Sequence, residues 1–369
     1  MTKFGAAARG AVLTLVAGLV LMACGDRGGE PETEVAPPAP IETGEIEPQE
    51  SETLAAIRAR GRLNCGVNEG LVGFAYTDNR GQWRGFDIDF CRALAAATLG
   101  DPDAVRFVPL NTQDRFPALR SGRVDVLWRN TSWTMTRDGG EGLEFAGVNY
   151  YDGQGFLVRR ELNLTSAAEL NGARVCVQAS STTQLNLDDY FRSRQLEYTP
   201  VVVASEREAR DAYDREECDA FTADLSALAA ARTALSAPGQ HAVLPDVISK
   251  EPLGPVTASD DPAWTDIVRW TLNAVILAEE LGVTQETAAD LAETSPDPRV
   301  RRLLGAEGEF GAMLGMERDW ALQAILAGGN YGEIFDRNLG ERSALDLARG
   351  LNAQWNAQPR GLIYGLPIR

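Results

Sequence analysis

The chain contains 369 residues and carries a formal net charge of −18, from 53 acidic and 35 basic side chains. The chain is acidic and shows no basic stripe that could neutralise the phosphates of nucleic acid, so nucleic acid is not an expected partner. Its one histidine, His241, leaves a single position for Ser-His-Asp or Cys-His catalysis and rules out a histidine-rich zinc site. His241 begins an apolar run that predicts a strand, so we expect it to be structural, and we expect no metal or cofactor.

The first residues predict an exported protein. Lys3 and Arg9 precede an apolar stretch of about a dozen residues, whereas a helix that spans a bilayer takes roughly 20. The stretch ends in Leu21-Met22-Ala23-Cys24, which is similar to a bacterial lipobox. Residues 1–23 are therefore predicted to be a lipoprotein signal peptide, with Cys24 as the lipidated residue. The alternative is an ordinary signal peptide followed by a chance cysteine.

Residues 24–52 are rich in proline, glutamate and glycine and show no apolar periodicity. Such a segment cannot bury enough surface to fold, and its like charges keep it extended. It is predicted to be a disordered, acidic, proline-rich tether. The remaining stretch of about 317 residues is too long for one small core and suggests two domains, or one domain with an extension.

After the tether, the chain alternates strands and helices twice in the same order. A first helix is expected to start at Ser51 or Thr53 and to end at Gly61, and Asp87 is expected to cap a later helix. The alternation predicts two α/β lobes, each built on a mostly parallel sheet. The predicted strands are residues 62–67, 105–110 and 124–128 in the first half and 174–178, 199–203 and 218–222 in the second.

Two segments that contain glycine and proline, residues 150–156 and 250–256, are predicted to cross between the lobes. Their composition suits hinges, although simple loops would also explain it. With two crossings, lobe 1 comprises residues 53–154 together with residues 255–369, which include a C-terminal helical extension. Lobe 2 comprises residues 155–254.

Four cysteines remain besides Cys24, and an even number in an exported protein indicates disulfides. Three pairings are possible. In a doubly wound sheet of order 2-1-3 the first and third strands are neighbours, so Cys176 and Cys218 are predicted to pair. Cys65 lies on the first predicted strand of lobe 1 and Cys91 on the helix packed over that sheet, which predicts Cys65–Cys91 as the second disulfide.

Eight segments of the chain form an ordered pattern. They are residues 65–68 (CGVN), 85–91 (GFDIDFC), 115–119 (RFPAL), 130–138 (NTSWTMTRD), 148–156 (VNYYDGQGF), 248–255 (ISKEPLGP), 329–333 (GNYGE) and 348–352 (ARGLN). In this order and spacing they resemble the polar amino-acid-binding proteins of bacterial ABC transporters, solute-binding protein family 3. Within that family they look closest to the general L-amino-acid-binding subgroup.

The resemblance implies the type II periplasmic-binding-protein fold, an α/β fold of two doubly wound lobes joined by two hinge strands that close on a ligand. It implies capture of L-amino acids, with a broad range and a bias to polar ones, and their delivery to an ABC transporter permease. The protein is then expected on the periplasmic side of the cell envelope as a monomer. Cys24 would anchor it to a membrane, and it would not be an enzyme.

The resemblance also assigns contacts to the α-carboxylate and the α-ammonium of the ligand. Arg137 matches an arginine that clamps the carboxylate, a task that suits a guanidinium. Ser132 matches a hydroxyl donor to the same group, more often Thr, and Asn130 matches a position that acts mainly through its backbone. Asp224 matches the acid that takes the ammonium. The plainer alternatives are a surface salt bridge for Arg137, turns for Ser132 and Asn130, and a helix N-cap for Asp224.

Six further residues match ligand positions: Asn68, Thr112, Arg115, Ser181, Thr182 and Thr183. The last three open a predicted helix, whose first N–H groups can hold an anion or simply be capped. Asn68 follows the first strand, at a position that is often Asp in narrower members of the family. Thr112 and Arg115 resemble positions that meet the ligand side chain in acidic-amino-acid binders, although Arg115 could equally pair with a nearby acid.

Two other functions compete with transport. Some proteins of this fold act as cyclohexadienyl dehydratases, and that elimination needs a general acid placed in the cleft. The resemblance puts no acid there besides Asp224. The third possibility is a sensor module on the cell surface, although sensors usually carry a membrane span or a signalling domain.

Overall fold

The computed structural model describes residues 50–369. The predicted signal peptide, Cys24 and most of the predicted tether lie outside the described residues. The strands are β1 (Leu63–Val67), β2 (Tyr76–Thr77), β3 (Trp83–Arg84), β4 (Val105–Pro109), β5 (Val126–Leu127), β6 (Leu143–Phe145), β7 (Tyr150–Asp152), β8 (Gln154–Arg159), β9 (Arg174–Gln178), β10 (Thr199–Val203), β11 (Ala220–Asp224), β12 (His241–Val243), β13 (Glu251–Leu253) and β14 (Val256–Ala258).

The α-helices follow the strands in the expected alternation. They are α1 (Glu52–Arg60), α2 (Phe86–Leu99), α3 (Arg115–Arg120), α4 (Met135–Gly140), α5 (Thr182–Ser193), α6 (Glu206–Asp214), α7 (Leu225–Thr233), α8 (Pro262–Glu280), α9 (Ala288–Thr294), α10 (Pro298–Leu303), α11 (Phe310–Met313), α12 (Trp320–Gly328) and α13 (Tyr331–Asn338). Among the described helices, none combines the length and the apolar character that a membrane crossing requires.

Two five-stranded sheets carry the fold, with the orders β4-β1-β5-β14-β6 and β10-β9-β11-β8-β12. Each sheet contains three parallel strands in the predicted order 2-1-3, which are β4-β1-β5 in the first sheet and β10-β9-β11 in the second. The third of these parallel strands has an antiparallel neighbour on its other side, which is β14 beside β5 in the first sheet and β8 beside β11 in the second. The two α/β lobes therefore repeat one arrangement.

The two segments that connect the sheets pair with each other. Strand β7 leads from the first sheet towards the second, β13 leads back, and the two form an antiparallel ladder in which Glu251 lies opposite Asp152. Strand β14 then joins the first sheet. This two-stranded ladder is called the hinge ladder below, because two short neighbouring strands are where lobe rotation can be absorbed.

Most predicted elements agree with the structure, but some details were wrong. Asp87 does not cap α2: the N-cap is Gly85, at φ 131°, where a Cβ would come within 2.1 Å of Phe74 O. Asp87 lies one residue inside the helix, buried, and its carboxylate accepts from the Asn130 N–H at 3.2 Å. The third strand of lobe 2 begins at Ala220, two residues later than predicted, so that it ends at Asp224.

The first helix begins where predicted. Ser51 caps α1 through its side chain, which accepts from Leu54 N, and Gly61 ends the helix in the left-handed conformation. The Ser51 hydroxyl also donates to Asp261 Oδ2 at 2.9 Å, which ties the start of the fold to the N-cap of α8. Ser51 and Glu52, placed in the tether from sequence, therefore belong to the folded part.

The residues after α8 pack on the helices of the first sheet. Helix α12 lies against α2, and α13 lies against α2 and α8. Arg337 Nε donates to Asp89 Oδ2 at 2.8 Å. Farther on, the Asn352 side chain donates to Tyr151 O at 3.0 Å and accepts from Tyr151 N at 2.7 Å. One residue of the C-terminal tail thus bonds to the free edge of strand β7 as another strand would.

The structure contains the disulfides Cys65–Cys91 and Cys176–Cys218, the same pairs that were predicted. The first joins β1 to α2, and the second joins β9 to the residues before β11, with Cα–Cα distances of 6.2 Å and 5.7 Å. His241 begins β12, is buried, and its Nδ1 lies 2.8 Å from the Tyr213 hydroxyl. That position, away from the interlobe residues, fits a structural histidine.

Replacing Cys176 and Cys218 together by alanine is expected to lower the free energy of unfolding by about 2–4 kcal/mol, because the disulfide restricts the unfolded chain. The cross-linked residues are 42 apart in sequence. Chemical denaturation of the two proteins measures the difference. An unchanged midpoint and slope would show that the disulfide does not stabilise lobe 2.

Candidate functional site

The carboxyl ends of the parallel strands and the first turns of several helices meet between the two sheets and enclose a polar cavity of about 40 Å³, called the clamp cavity. Ligands of open α/β sheets bind at such strand ends. Nine of the ten predicted ligand-binding residues line it: Thr112, Arg115, Asn130, Ser132, Arg137, Ser181, Thr182, Thr183 and Asp224. The tenth, Asn68, lines an adjoining cavity.

Arg137 enters the clamp cavity from helix α4. Thr134 caps this short helix by accepting from the Arg137 N–H, and the guanidinium Nη1 donates to Ser132 O at 2.8 Å. The side chain lies 5.5 Å from the Phe116 ring, and only 8% of the residue is exposed. Burial lowers the pKa of Arg137, while the charges of Glu251, Glu141 and Asp224 oppose that shift. A surface salt bridge therefore does not describe this residue.

Asp224 approaches from the other lobe, as the last residue of β11. It occupies the N-cap position of α7, yet its side chain makes no capping hydrogen bond. Burial raises the pKa of Asp224 well above its usual range, and the nearby acids Asp152, Glu251 and Glu206 add to the effect. A cation bound beside this carboxyl would reverse that shift and favour the charged form.

The start of helix α5 forms another wall of the clamp cavity. The Ser181 hydroxyl accepts from Gln184 N at 3.2 Å and donates to Gln178 O at 2.7 Å, so it caps the helix. The free N–H groups of the first turn make a helix N-terminus favourable for an anion. Capping by Ser181 and anion binding by the backbone of Thr182 and Thr183 are compatible.

Ser132 stands between Arg137 and the hinge ladder. Its hydroxyl donates to Glu251 Oε2 and lies 3.5 Å from Thr182 Oγ1. A serine has one hydroxyl hydrogen, and in this structure Ser132 gives it to Glu251. The expected donation from Ser132 to a ligand carboxylate therefore competes with an internal bond.

Asn130 and Asn68 form a linked pair at the edge of the site. Asn130 has φ 33°, a left-handed conformation that asparagine tolerates better than most residues, and its N–H donates to Asp87. Its Oδ1 accepts from Asn68 Nδ2 at 3.0 Å, and Asn68 Oδ1 accepts from Gly70 N at 3.2 Å. Asn130 therefore adopts a turn conformation and also lines the clamp cavity, so the two interpretations are compatible.

Arg115 and Thr112 lie on the first-lobe side of the clamp cavity. Arg115 is 4% exposed, and its Nε has no hydrogen-bond partner. Its guanidinium lies 4.6 Å from the Phe116 ring. Burial, together with the charges of Arg129 and Arg137, lowers the pKa of Arg115. An unpaired buried donor is costly, so a ligand acceptor here would stabilise the site.

Sequence reasoning missed several polar residues at or beside the site, among them Arg129, Gln178, Glu206 and Glu251. Three of them stand at predicted strand or helix ends, because Gln178 ends β9, Glu206 begins α6, and Arg129 follows the predicted strand 124–128. The rule that ligands sit at the carboxyl ends of strands was therefore a sufficient signal for these three. For Glu251, on the hinge ladder, no such signal exists.

Arg129 extends the positive side of the site. It is 5% exposed, its Nε donates to Leu110 O at 2.8 Å, and its Nη2 lies 3.4 Å from Thr112 Oγ1. Thr112 Oγ1 also accepts from Gln178 Nε2 at 2.8 Å, a bond between the two lobes. Burial lowers the pKa of Arg129 to about 10, opposed first by Glu206.

A second cavity of about 350 Å³ adjoins the clamp cavity and is called the outer cavity. The two share four lining residues: Arg129, Gln178, Glu206 and Ala227. Glu206 keeps partial solvent contact there, yet burial raises its pKa to about 7. In the part of the chain that the structure covers, no group of three or more His, Cys, Asp or Glu side chains is placed to hold a metal ion.

Two α/β lobes joined by a hinge ladder, with buried charges of both signs between them, define a two-lobed solute-binding protein. The chain belongs to the bacterial extracellular solute-binding proteins, family 3, whose family model matches residues 63–288. It has the type II periplasmic-binding-protein fold of that family, and solute binding rather than catalysis is the family's activity.

The chain is 50% identical over 319 residues to the general L-amino acid-binding periplasmic protein AapJ of Rhizobium johnstonii, covering 86% of this chain and 93% of that protein. It is 49% identical over 317 residues to the glutamate/glutamine/aspartate/asparagine-binding protein BztA of Rhodobacter capsulatus, with coverage of 86% and 93%. A solved ABC transporter / periplasmic binding protein from Brucella ovis with glutathione bound is 51% identical, covers 87% of this chain and 100% of that chain, and has a TM-score of 0.84.

The ligand-free protein is expected to be more stable at mildly acidic than at mildly alkaline pH. Burial raises the pKa of Asp152 to about 6 and those of Asp87 and Glu206 to about 7. Between about pH 4 and pH 7 the folded protein therefore holds more protons than the unfolded chain, so the free energy of unfolding falls as the pH rises through that window. Urea denaturation across this range measures the slope.

A matched pair of variants tests which groups cause the slope. Glu206→Gln removes one of the titrating carboxyls and should flatten the slope near pH 7. Asp188→Asn, which changes an exposed carboxylate paired with Arg192, should leave it as in the wild type. A free energy of unfolding that rises from pH 5 to pH 8 would contradict the assignment.

Proposed function

We propose that this chain captures free L-α-amino acids between its lobes and delivers them to the permease of an ABC transporter. The observation that carries the proposal is the placement of Arg137 and Asp224. Each comes from a different lobe, each is buried, and both line the clamp cavity. A free α-amino acid carries a carboxylate and an ammonium on the same carbon atom, so it supplies a partner for each.

In this proposal Arg137 clamps the α-carboxylate, and the first N–H groups of α5, at Thr182 and Thr183, add neutral donors. Asp224 takes the α-ammonium. Arg137 and Asp224 can both contact the same ligand only when the lobes are closed, so the binding energy favours the closed form. Because the ligand stabilises the closed form, the permease can distinguish the ligand-bound protein by the surface of its closed lobes.

The charge of the clamp cavity supports a polar ligand side chain. Arg115 offers an unpaired Nε, and Arg129 and Thr112 lie on the same side. These donors suit a carboxylate or amide side chain, in keeping with the specificity named for the Rhodobacter capsulatus relative. The general L-amino acid-binding relative supports a broader range.

The outer cavity supports a second ligand class. Its volume of about 350 Å³ exceeds what the side chain of one amino acid fills, since one water takes up roughly 10–15 Å³ of such space. An amino acid whose side chain carries an amide-linked substituent would occupy the clamp cavity and reach into the outer cavity. The glutathione-bound Brucella ovis structure is in line with this second class.

The sequence and the relatives support a location and an assembly for the protein. We infer that the protein acts in the periplasm, as the name of the Rhizobium johnstonii relative indicates for that protein. Cys24 is the proposed lipid anchor, and residues 24–50 are the proposed tether that lets a monomer reach its permease. Lobe 1 is proposed to comprise residues 51–154 and 255–369, and lobe 2 residues 155–254. Relatives named as binding proteins favour transport over the dehydratase and sensor alternatives.

Arg137→Ala is expected to weaken amino-acid binding at least about 100-fold, which is about 2.8 kcal/mol, because the α-carboxylate loses its charged partner. Calorimetric titration with the twenty L-amino acids first identifies the wild-type ligands and then measures the loss. Arg120→Ala is the control, since Arg120 is an exposed arginine of the same lobe, paired with Glu141.

The titration can also refute the proposal. If the wild type binds none of the twenty amino acids at millimolar concentration, the proposed function fails. If Arg137→Ala binds them as the wild type does, the clamp is wrong even though binding is real. Circular dichroism of each variant establishes that the fold is retained.

Filling the outer cavity should separate the two ligand classes. Ala231, on α7, lines the outer cavity but not the clamp cavity. Ala231→Phe is therefore expected to weaken binding of a γ-glutamyl peptide at least tenfold and to leave the affinity for a free amino acid nearly unchanged. Equal losses for both ligands, or no loss for either, would contradict a role of the outer cavity in binding.

A further inference from the structure

Glu251 is a buried carboxylate on the hinge ladder, and only 2% of the residue is exposed. Its partners are four neutral side chains. Oε2 accepts from the Ser132 hydroxyl and from Thr182 Oγ1 at 3.2 Å. Oε1 accepts from Asn186 Nδ2 and from Ser249 Oγ, both at 2.7 Å. Hydrogen bonds to an ionised acceptor are stronger than neutral ones, so this network is a substantial local interaction.

The donors come from both lobes. Ser132 follows β5 of the first sheet, whereas Thr182 and Asn186 lie on α5, which packs on the second sheet. Glu251 itself belongs to β13, which connects the two. All four bonds form together only when the lobes are close enough to bring Ser132 Oγ within 3.5 Å of Thr182 Oγ1, as they are here. One carboxylate thus joins lobe 1, lobe 2 and the hinge.

The same network forms the back of the clamp cavity. Ser132 and Thr182 line that cavity, while Glu251 lies behind them and does not. Glu251 is also the charge that most favours the protonated form of Arg137. Glu251 therefore acts on the residues that line the cavity without being a lining residue itself.

We propose that Glu251 is a positioning residue that ties the two lobes in their closed arrangement and fixes the positions of the Ser132 and Thr182 oxygens at the clamp cavity. The expected effect of Glu251 on ligand affinity rests on the proposed function. Its expected effect on lobe closure rests on the hydrogen-bond network alone. Opening the lobes requires the carboxylate to release its donors on one side.

Glu251→Gln tests the tie with little change of volume. An amide keeps one acceptor but presents an NH₂ group to donors, so it cannot accept all four bonds. Spin labels at the exposed positions 103 and 197, one in each lobe, report the distance between the lobes in ligand-free protein by pulsed electron paramagnetic resonance. The variant is expected to shift the distances towards a more open distribution. A distribution that matches the wild type would overturn the proposal.

The second measurement uses an amino acid that the wild type binds. Glu251→Gln should weaken its affinity about tenfold, because a smaller fraction of the protein is in the binding-competent arrangement. The melting temperature of the ligand-free protein reports separately how far the substitution destabilises the fold. Glu144→Gln is the control, since Glu144 is a half-exposed carboxylate of the edge strand β6, and its variant should bind normally.

The double variant Glu251→Gln, Asn186→Asp distinguishes positioning from simple stabilisation. It places the carboxylate on α5 and the amide on β13, which restores an amide–carboxylate bond between the hinge and lobe 2. Partial recovery of affinity and of the closed distribution is expected. A loss of affinity that parallels a fall in melting temperature, without recovery in the double variant, would overturn the positioning role. If the wild type binds no amino acid, the proposed function fails. The distance measurement then still tests whether Glu251 holds the two lobes together.

Discussion

Most of the ionisable side chains between the lobes lie away from bulk water, where a charge without a partner is costly, and Glu206 alone among those that line the clamp cavity keeps partial solvent contact. Arg115, Arg129 and Arg137 line the clamp cavity together with Asp224 and Glu206. Burial lowers the pKa of each arginine and raises the pKa of each acid, which in both cases favours the neutral form. The site is therefore a set of charges that are incompletely compensated by one another, and a zwitterionic solute supplies what is missing. The strand ends, the α5 N-terminus and the hinge ladder hold these groups in place.

The moving parts and the binding parts of the molecule share hydrogen bonds. The loop that carries Ser132 is held to β13 by bonds from Trp133 N to Pro252 O and from Gly254 N to Thr131 O. On the other edge of the ladder, the tail residue Asn352 bonds to both backbone groups of Tyr151. A change at the ligand site therefore reaches the hinge through short, direct contacts. The C-terminal tail is thus hydrogen-bonded to the same ladder from outside.

Local patterns were good guides to the elements. The alternation of strands and helices, their order 2-1-3 in each sheet and the two disulfides all follow from apolar spacing and strand adjacency, which depend on neighbours in sequence. The prediction for Asp87 was wrong because the capping preference of Asp could not reveal the close approach of Phe74 O, which only a glycine at position 85 permits. Nine of the ten residues grouped through the family resemblance line one cavity, while their individual roles remain proposals.

The sequence by itself determined the repeated α/β halves, the disulfide pairs and a set of polar residues at strand ends, because periodicity, caps and turn residues act over a few positions. Only the tertiary structure decided which charges share the cavity and what each side chain bonds to. Ser132 and Glu251 are 119 residues apart, and Arg137 and Asp224 come from different lobes. Burial, which sets the cost of a charge and the pKa of each group, is a property of the assembled lobes and is not encoded in any short segment.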